Sequence, residues 1–118
     1  MQTILVVEDE LSISDVVSAI LSYDGHRVVV ARNGQEALVC LESEHPDLIL
    51  SDVMMPVMGG RELCKRLQAN PKHRSVPVIL MSSVYNMANL EGCMHAAFIA
   101  KPFNVDDLLL IVRAVIGG

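Results

Sequence analysis

Five short apolar runs, separated by stretches whose apolar residues recur at helical spacing, constrain this chain more than any other feature. The runs are Thr3–Val7, Arg27–Ala31, Leu48–Ser51, Val76–Met81 and Phe98–Ala100. Runs of this length, rich in Val, Ile and Leu, read as strands buried on both faces. Between them, Ile13, Val16, Val17, Ile20 and Leu21 mark a first helix, and Ala37, Leu38 and Leu41 a second. Leu63, Cys64 and Leu67 mark a third, and Leu108, Val112 and Val115 a last one. Ser12 with Asp15, Asn33 with Glu36, and Asn104 are expected at helix starts. Asp24-Gly25, Pro46, Asn70-Pro71 and Gly117 are the expected stops. From Val84 to Ala97 the pattern is least regular; Asn86, Asn89 and Gly92 lower helix propensity and predict one short or irregular helix.

Five strands alternating with five helices, with no internal repeat, predict an α/β fold. Right-handed crossovers favour a three-layer sandwich around a five-stranded parallel sheet, with the flavodoxin-like strand order 2-1-3-4-5. At 118 residues the chain suffices for one domain, 1–118, and not for two. Hydrophobic residues make up 52% but aromatics only 3%, so the core must be aliphatic, as suits a parallel sheet covered by helices.

The net charge is −5 with no block of basic residues, which argues against direct nucleic-acid binding. Cys40, Cys64 and Cys93 are odd in number, widely spaced and outside any Cys-x-x-Cys, as expected of reduced thiols in a cytoplasmic protein. The start lacks a basic segment and reaches Glu8 too soon for a signal peptide. No apolar run approaches the roughly 20 residues of a membrane helix.

The residues that close the strands carry the chemistry. Glu8-Asp9, Asp52, Ser82 and Lys101-Pro102 each follow an apolar run, where open α/β sheets bind ligands. Taken singly, each has a plain reading: a solvated acidic loop, a serine bonded to local backbone, a surface turn. Together they converge. Two carboxylates about 5 Å apart at an effective dielectric near 20 repel by roughly 3 kcal/mol. Three in one crevice need compensation, which a hard divalent cation such as Mg²⁺ supplies and Lys101 extends. A hydroxyl and an ammonium are also the groups that would stabilise a phosphoryl group on Asp52.

Four segments, Ile4-Leu5-Val6-Val7-Glu8-Asp9-Glu10, Asp52 through Leu63, Pro77 through Ser82 and Lys101-Pro102-Phe103, carry a resemblance that runs essentially end to end. In that order and spacing the chain resembles the receiver domain of bacterial two-component response regulators. The resemblance implies that Asp52 is the phosphoacceptor and that Glu8 and Asp9 help to hold Mg²⁺ (or Mn²⁺), Asp9 more directly. It implies that Met54 gives its backbone carbonyl to the metal, that Ser82 turns toward the phosphoryl group and that Lys101 pairs with it. Phe98 falls at the aromatic switch position, and Gly60 matches the glycine after the Met-Pro-x-Met turn. The implied donor is a sensor histidine kinase or a histidine phosphotransfer protein. The implied output face is the fourth helix, fifth strand and fifth helix, which also offers a homodimer contact. Such a domain promotes its own phosphorylation and dephosphorylation and is not an enzyme acting on other substrates.

Three other readings compete. A pseudo-receiver would use the same face only to bind protein. An aspartate-nucleophile phosphohydrolase wants an acid two residues after the nucleophile, where Met54 stands. A flavodoxin would place a flavin phosphate against the acidic turn Glu8-Asp9-Glu10.

The sequence departs from the resemblance at Ser83, where a small apolar residue is usual, and at Met94-His95. The stretch from Ser82 to Lys101 is also a few residues short. By the resemblance, Met54 and Val84 fall at the positions that tune dephosphorylation in the family; neither side chain can orient a water, so a long-lived phosphate is expected. Leu109, Leu110, Ile111 and Ile116 are left over outside the core stripe of the last helix, as expected of a partner surface. His26, His45, His73 and His95 lack ligand spacing, and Met54, Met55 and Met58 read as turn and core packing.

Overall fold

The computed structural model describes residues 2–83 and 95–117. Its elements run β1 (Thr3–Val7), α1 (Leu11–Tyr23), β2 (Arg27–Ala31), α2 (Gly34–Cys40), β3 (Leu48–Asp52), α3 (Gly60–Ala69), β4 (Val78–Ser82), β5 (Ala97–Ala100) and α4 (Val105–Ile116). The strands form one parallel sheet in the order β2-β1-β3-β4-β5. The expected fold and strand order are therefore present. Four helices lie among the described residues; the expected short helix between Val84 and Ala97 falls almost wholly outside them.

Burial explains the order. Every residue of β3 and β4 is buried, as central strands covered on both faces require. β2 and β5 are only partly buried, include exposed positions and take the edges. Side chains alternate across the pleat and feed two cores. Leu5, Val7, Ile49 and Leu80 face α2 and α3, meeting Ala37, Leu63, Cys64 and Leu67. Ile4, Val6, Leu50 and Met81 face α1 and α4, meeting Val17, Leu21, Leu108 and Val112. Leu109, Ile111, Val115 and Ile116 also pack against this second core. Most of the expected surplus on the last helix is thus used internally, leaving Val105 and Leu110 as its most exposed large apolar residues.

The caps are partly as expected. Asn33 accepts the Glu36 N–H at 2.9 Å, and Asn104 accepts the Asp107 N–H at 2.8 Å. Ser12 does not cap α1. The Glu8 carboxylate accepts the Glu10 N–H at 3.2 Å while Glu10 is extended, and the helix begins at Leu11, one residue before Ser12. α2 stops at Cys40, well before Pro46, because the next turn tightens: the Glu42 and Ser43 N–H groups donate to carbonyls three residues back. Glu44 is then drawn to Arg27 at 2.7 Å.

Candidate functional site

The carboxyl ends of β1, β3, β4 and β5 meet at one edge of the sheet. Asp52 is the last residue of β3 and is only 7% exposed. Its register partner on β4 is Met81, so Ser82 stands one residue further toward the same end. The Lys101 N–H donates to the Ser82 carbonyl at 2.9 Å, which carries the β4–β5 ladder one step past β5 and fixes where the lysine starts. On β1, the Glu8 N–H donates to the Ala31 carbonyl at 3.0 Å. Parallel pairing of four neighbouring strands therefore delivers Glu8, Asp52, Ser82 and Lys101 to one place.

The side chains then converge. Lys101 Nζ lies 2.6 Å from Glu8 Oε1 and 3.3 Å from Asp52 Oδ2, with the lysine side chain 13% exposed. Glu8, Asp9 and Asp52 each present a carboxylate oxygen, all within 4.8 Å of one another. Glu8 is fully buried and Asp9 exposed, so the cluster opens toward solvent on the Asp9 side. A crevice of about 630 Å³ adjoins it, with Asp9, Asp52, Ser82, Ser83 and Lys101 on its polar side. Ile13, Val17 and Phe103 contribute to its apolar side, and the exposed Met54 also lines it. The Lys101–Pro102 peptide is cis.

The charges are strained against one another. Burial pushes the Glu8 and Asp52 carboxyls above their ordinary values, and the Lys101 ammonium pulls both back down. Burial would lower Lys101, yet its hydrogen bond to Glu8 and the Asp52 charge hold it above its ordinary value. One ammonium faces three carboxylates, and the excess negative charge sits where oxygen ligands converge. The cluster is thus able to hold a hard metal ion.

The loop behind Asp52 is shaped by close contacts. The Gly60 N–H donates to the Val53 carbonyl at 3.0 Å, and a Cβ on Gly60 would collide with the Asp52 carbonyl oxygen. The Ser51 hydroxyl, fully buried, donates to that same carbonyl at 2.9 Å. Val57 holds φ 68 while the Met58 N–H bonds across it to the Pro56 carbonyl at 2.7 Å, a strained γ-turn.

Of the residues singled out in the sequence, Glu8, Asp9, Asp52 and Lys101 form the charged cluster. Ser82 and Met54 line the crevice beside it. Phe98 lies apart in β5, half-buried opposite Leu80 and packed on the α2/α3 core. Sequence reasoning missed that Glu8 spends one oxygen on Lys101 and the other on the Glu10 N–H. It also missed the Ser51 bond and the Val57 strain. The Gly-Gly pair was the only local signal of a tight approach to Asp52.

The family model described as the response regulator receiver domain matches residues 4–113. The chain belongs to the response regulator receiver family. Among curated relatives, a probable transcriptional regulator, ycf27, of Cyanophora paradoxa is 35% identical over 96% of this chain and 47% of its own length. The chain thus spans about half the length of such relatives. Among solved structures, the signal receiver domain of a signal transduction histidine kinase from Syntrophus aciditrophicus superposes with a TM-score of 0.95 at 35% identity. That match covers 100% of this chain and 92% of the other. A second neighbour, the receiver domain of a sensor histidine kinase from Pseudomonas aeruginosa, has a TM-score of 0.91 at 30% identity. It covers 99% of this chain and 98% of its own, and was solved with a magnesium ion coordinated in the active-site cleft. This receiver has its acidic cluster at the carboxyl edge of the sheet.

Proposed function

We propose that residues 1–118 act as a single receiver domain in a phosphorelay, with Asp52 as the phosphoacceptor. The donor is a phosphohistidine on a sensor histidine kinase or a histidine phosphotransfer protein. The observation that carries this reading is the Asp52 carboxylate, buried at a strand end, 3.3 Å from Lys101 and beside the oxygens of Glu8 and Asp9.

In the transfer, an Asp52 oxygen attacks phosphorus, the P–N bond breaks and its electron pair returns to the imidazole. Little covalent work falls to the protein; positioning and charge stabilisation dominate. Lys101 meets the phosphoryl oxygens as a point charge, and the Ser82 hydroxyl donates to one of them. Asp9, Asp52 and the Met54 carbonyl, with Glu8 behind them, would hold Mg²⁺ or Mn²⁺. That ion supplies charge neutralisation at the phosphoryl oxygens when bound. The acyl phosphate then draws Ser82 and Phe98 inward, which biases a two-state equilibrium felt along β5 and α4. A cytoplasmic location fits the donor chemistry.

Acetyl phosphate with Mg²⁺ tests this reading. One phosphoryl mass gain is expected, located on Asp52 by peptide mapping and absent from Asp52→Asn. No gain on a folded wild-type chain would leave the pseudo-receiver reading. The phosphate is expected to be long-lived, because Met54 brings no water-orienting group to the crevice. A decay half-life of seconds in Mg²⁺ buffer would contradict that expectation.

A further inference from the structure

The α3 side of one outer layer is basic, although Glu36 and Glu42 are exposed on the α2 side of that layer, and the opposite layer is acidic. Residues 61–74 hold five of the chain's nine cations, Arg61, Lys65, Arg66, Lys72 and Arg74, against one anion, Glu62. That segment is net +4 in a chain of net −5, so the remainder is net −9. Arg61, Lys65 and Arg66 are interleaved with Leu63, Cys64 and Leu67, which the fold buries, and all five cations stand exposed on α3 and the turn after it. Glu62 is matched by Arg66 at 3.1 Å. Lys65, Lys72 and Arg74 have no ion-pair partner among the described residues.

The turn is a fixed platform. Asn70 accepts the Lys72 N–H on its side chain at 2.9 Å, and its carbonyl accepts the His73 and Arg74 N–H groups at 3.0 and 2.9 Å. A basic residue in the last turn suits the helix dipole, which accounts for Arg66 but not for Lys65 before it or Lys72 and Arg74 beyond it.

The opposite layer is acidic. No Lys or Arg occurs before Arg27, and Asp9, Glu10 and Asp15 are exposed on or beside α1. Asp106 and Asp107 add exposed charge at the start of α4, whose Arg113 is already engaged by Asp24 at 2.6 Å. Exposed apolar residues, Val16, Tyr23, Val105 and Leu110, lie on the same layer.

We propose that a second copy of this chain docks head to tail, its basic α3 face against the acidic α1/α4 face of the first. The complementarity is between two different faces of one molecule, so the contact is heterologous and does not close on a dimer. A long polyanion fits less well: beyond the patch it meets a surface of net −9, and the patch contains no aromatic side chain for base stacking. Exposed charge pairs contribute little each, so the contact is weak, with a dissociation constant on the order of 1 mM.

Sedimentation equilibrium of the chain at about 1 mM tests this, at about 0.01 M and about 1 M salt, where the Debye length falls from roughly 30 to 3 Å. The expected result is a weight-average mass above 12.9 kDa that rises with concentration in low salt and returns to it in high salt. The charge-reversed variant Lys65→Glu/Lys72→Glu/Arg74→Glu and its counterpart Asp15→Lys/Asp106→Lys/Asp107→Lys should each be monomeric alone and associate when mixed. Circular dichroism and thermal unfolding establish that both fold. A monomer in low salt overturns the proposal. So does association that survives 1 M salt, which would mark the apolar residues of α4 as the contact, or association that the α3 reversal leaves unchanged. Duplex DNA binding to the α3 face more tightly than the second copy would also overturn it.

Discussion

At the scale of single residues, strain and charge concentrate around Asp52. Val57 occupies a left-handed conformation that a β-branched side chain adopts at a cost of roughly 1–2 kcal/mol, while its side chain is 83% exposed and packs little. Glycine removes that cost but adds about 0.5–1 kcal/mol of chain entropy. Val57→Gly should therefore stabilise the domain by about 0.5–1 kcal/mol, read as a shifted midpoint in urea at unchanged slope. Lys101 is the opposite case. It is the one cation in contact with both Glu8 and Asp52 among the described residues, and it is nearly buried. Removing one partner of a buried pair typically costs about 3–5 kcal/mol, somewhat less at a crevice that water reaches. Lys101→Ala should lose about 2–4 kcal/mol at neutral pH without divalent cations. Denaturation with added Mg²⁺ should recover part of the loss, because the cation replaces the missing charge. An equal loss in both buffers would argue that the lysine acts through packing alone.

At the scale of elements, the sandwich is tied together where helices begin and end. Asp24 closes α1 and receives Arg113 of α4 at 2.6 and 3.3 Å, with His26 3.5 Å away. The Arg113 hydrogen bond holds the Asp24 carboxyl below its ordinary value of 3.8. A depressed carboxyl contributes stability that is present above its unfolded value and lost as pH falls through the folded one. The α1–α4 tie should thus be intact at neutral pH and fail only below about pH 3.8. Melting temperatures of wild type and Asp24→Asn should differ at neutral pH and converge in acid. A constant difference across that range would mean the tie is not ionic. Much of this scale was readable beforehand. Asn33 and Asn104 cap as their local sequence says, because capping is settled within four residues. Ser12 failed as a cap because a distant consequence, the burial of Glu8 beside Lys101, set the backbone of Glu10 first.

At the scale of the whole molecule, the acidic cluster makes folding and cation binding one equilibrium. A cation that binds the folded cluster and not the unfolded chain adds about 1.4 kcal/mol for each tenfold rise in concentration above its dissociation constant. The stability of wild type should follow that slope in Mg²⁺, and Asp9→Asn should flatten it while leaving the metal-free fold intact. A flat response in wild type would show that the cluster does not gather a cation at these concentrations.

The sequence by itself determined the strands, their order and the residues at their ends. Those depend on hydrophobic period and on a handedness rule, both local or nearly universal. It also marked Glu8, Asp9, Asp52, Ser82 and Lys101, because polar residues at the ends of buried strands have one edge to share. Only the tertiary structure decided how they divide the work. Glu8 and Lys101 are 93 residues apart, and nothing local says that the buried glutamate spends its oxygens on a lysine and a backbone N–H, leaving Asp9 open to solvent. The same holds for charge. Five cations gather in residues 61–74 of the sequence, but they become one exposed face only when the sheet buries the apolar residues between them.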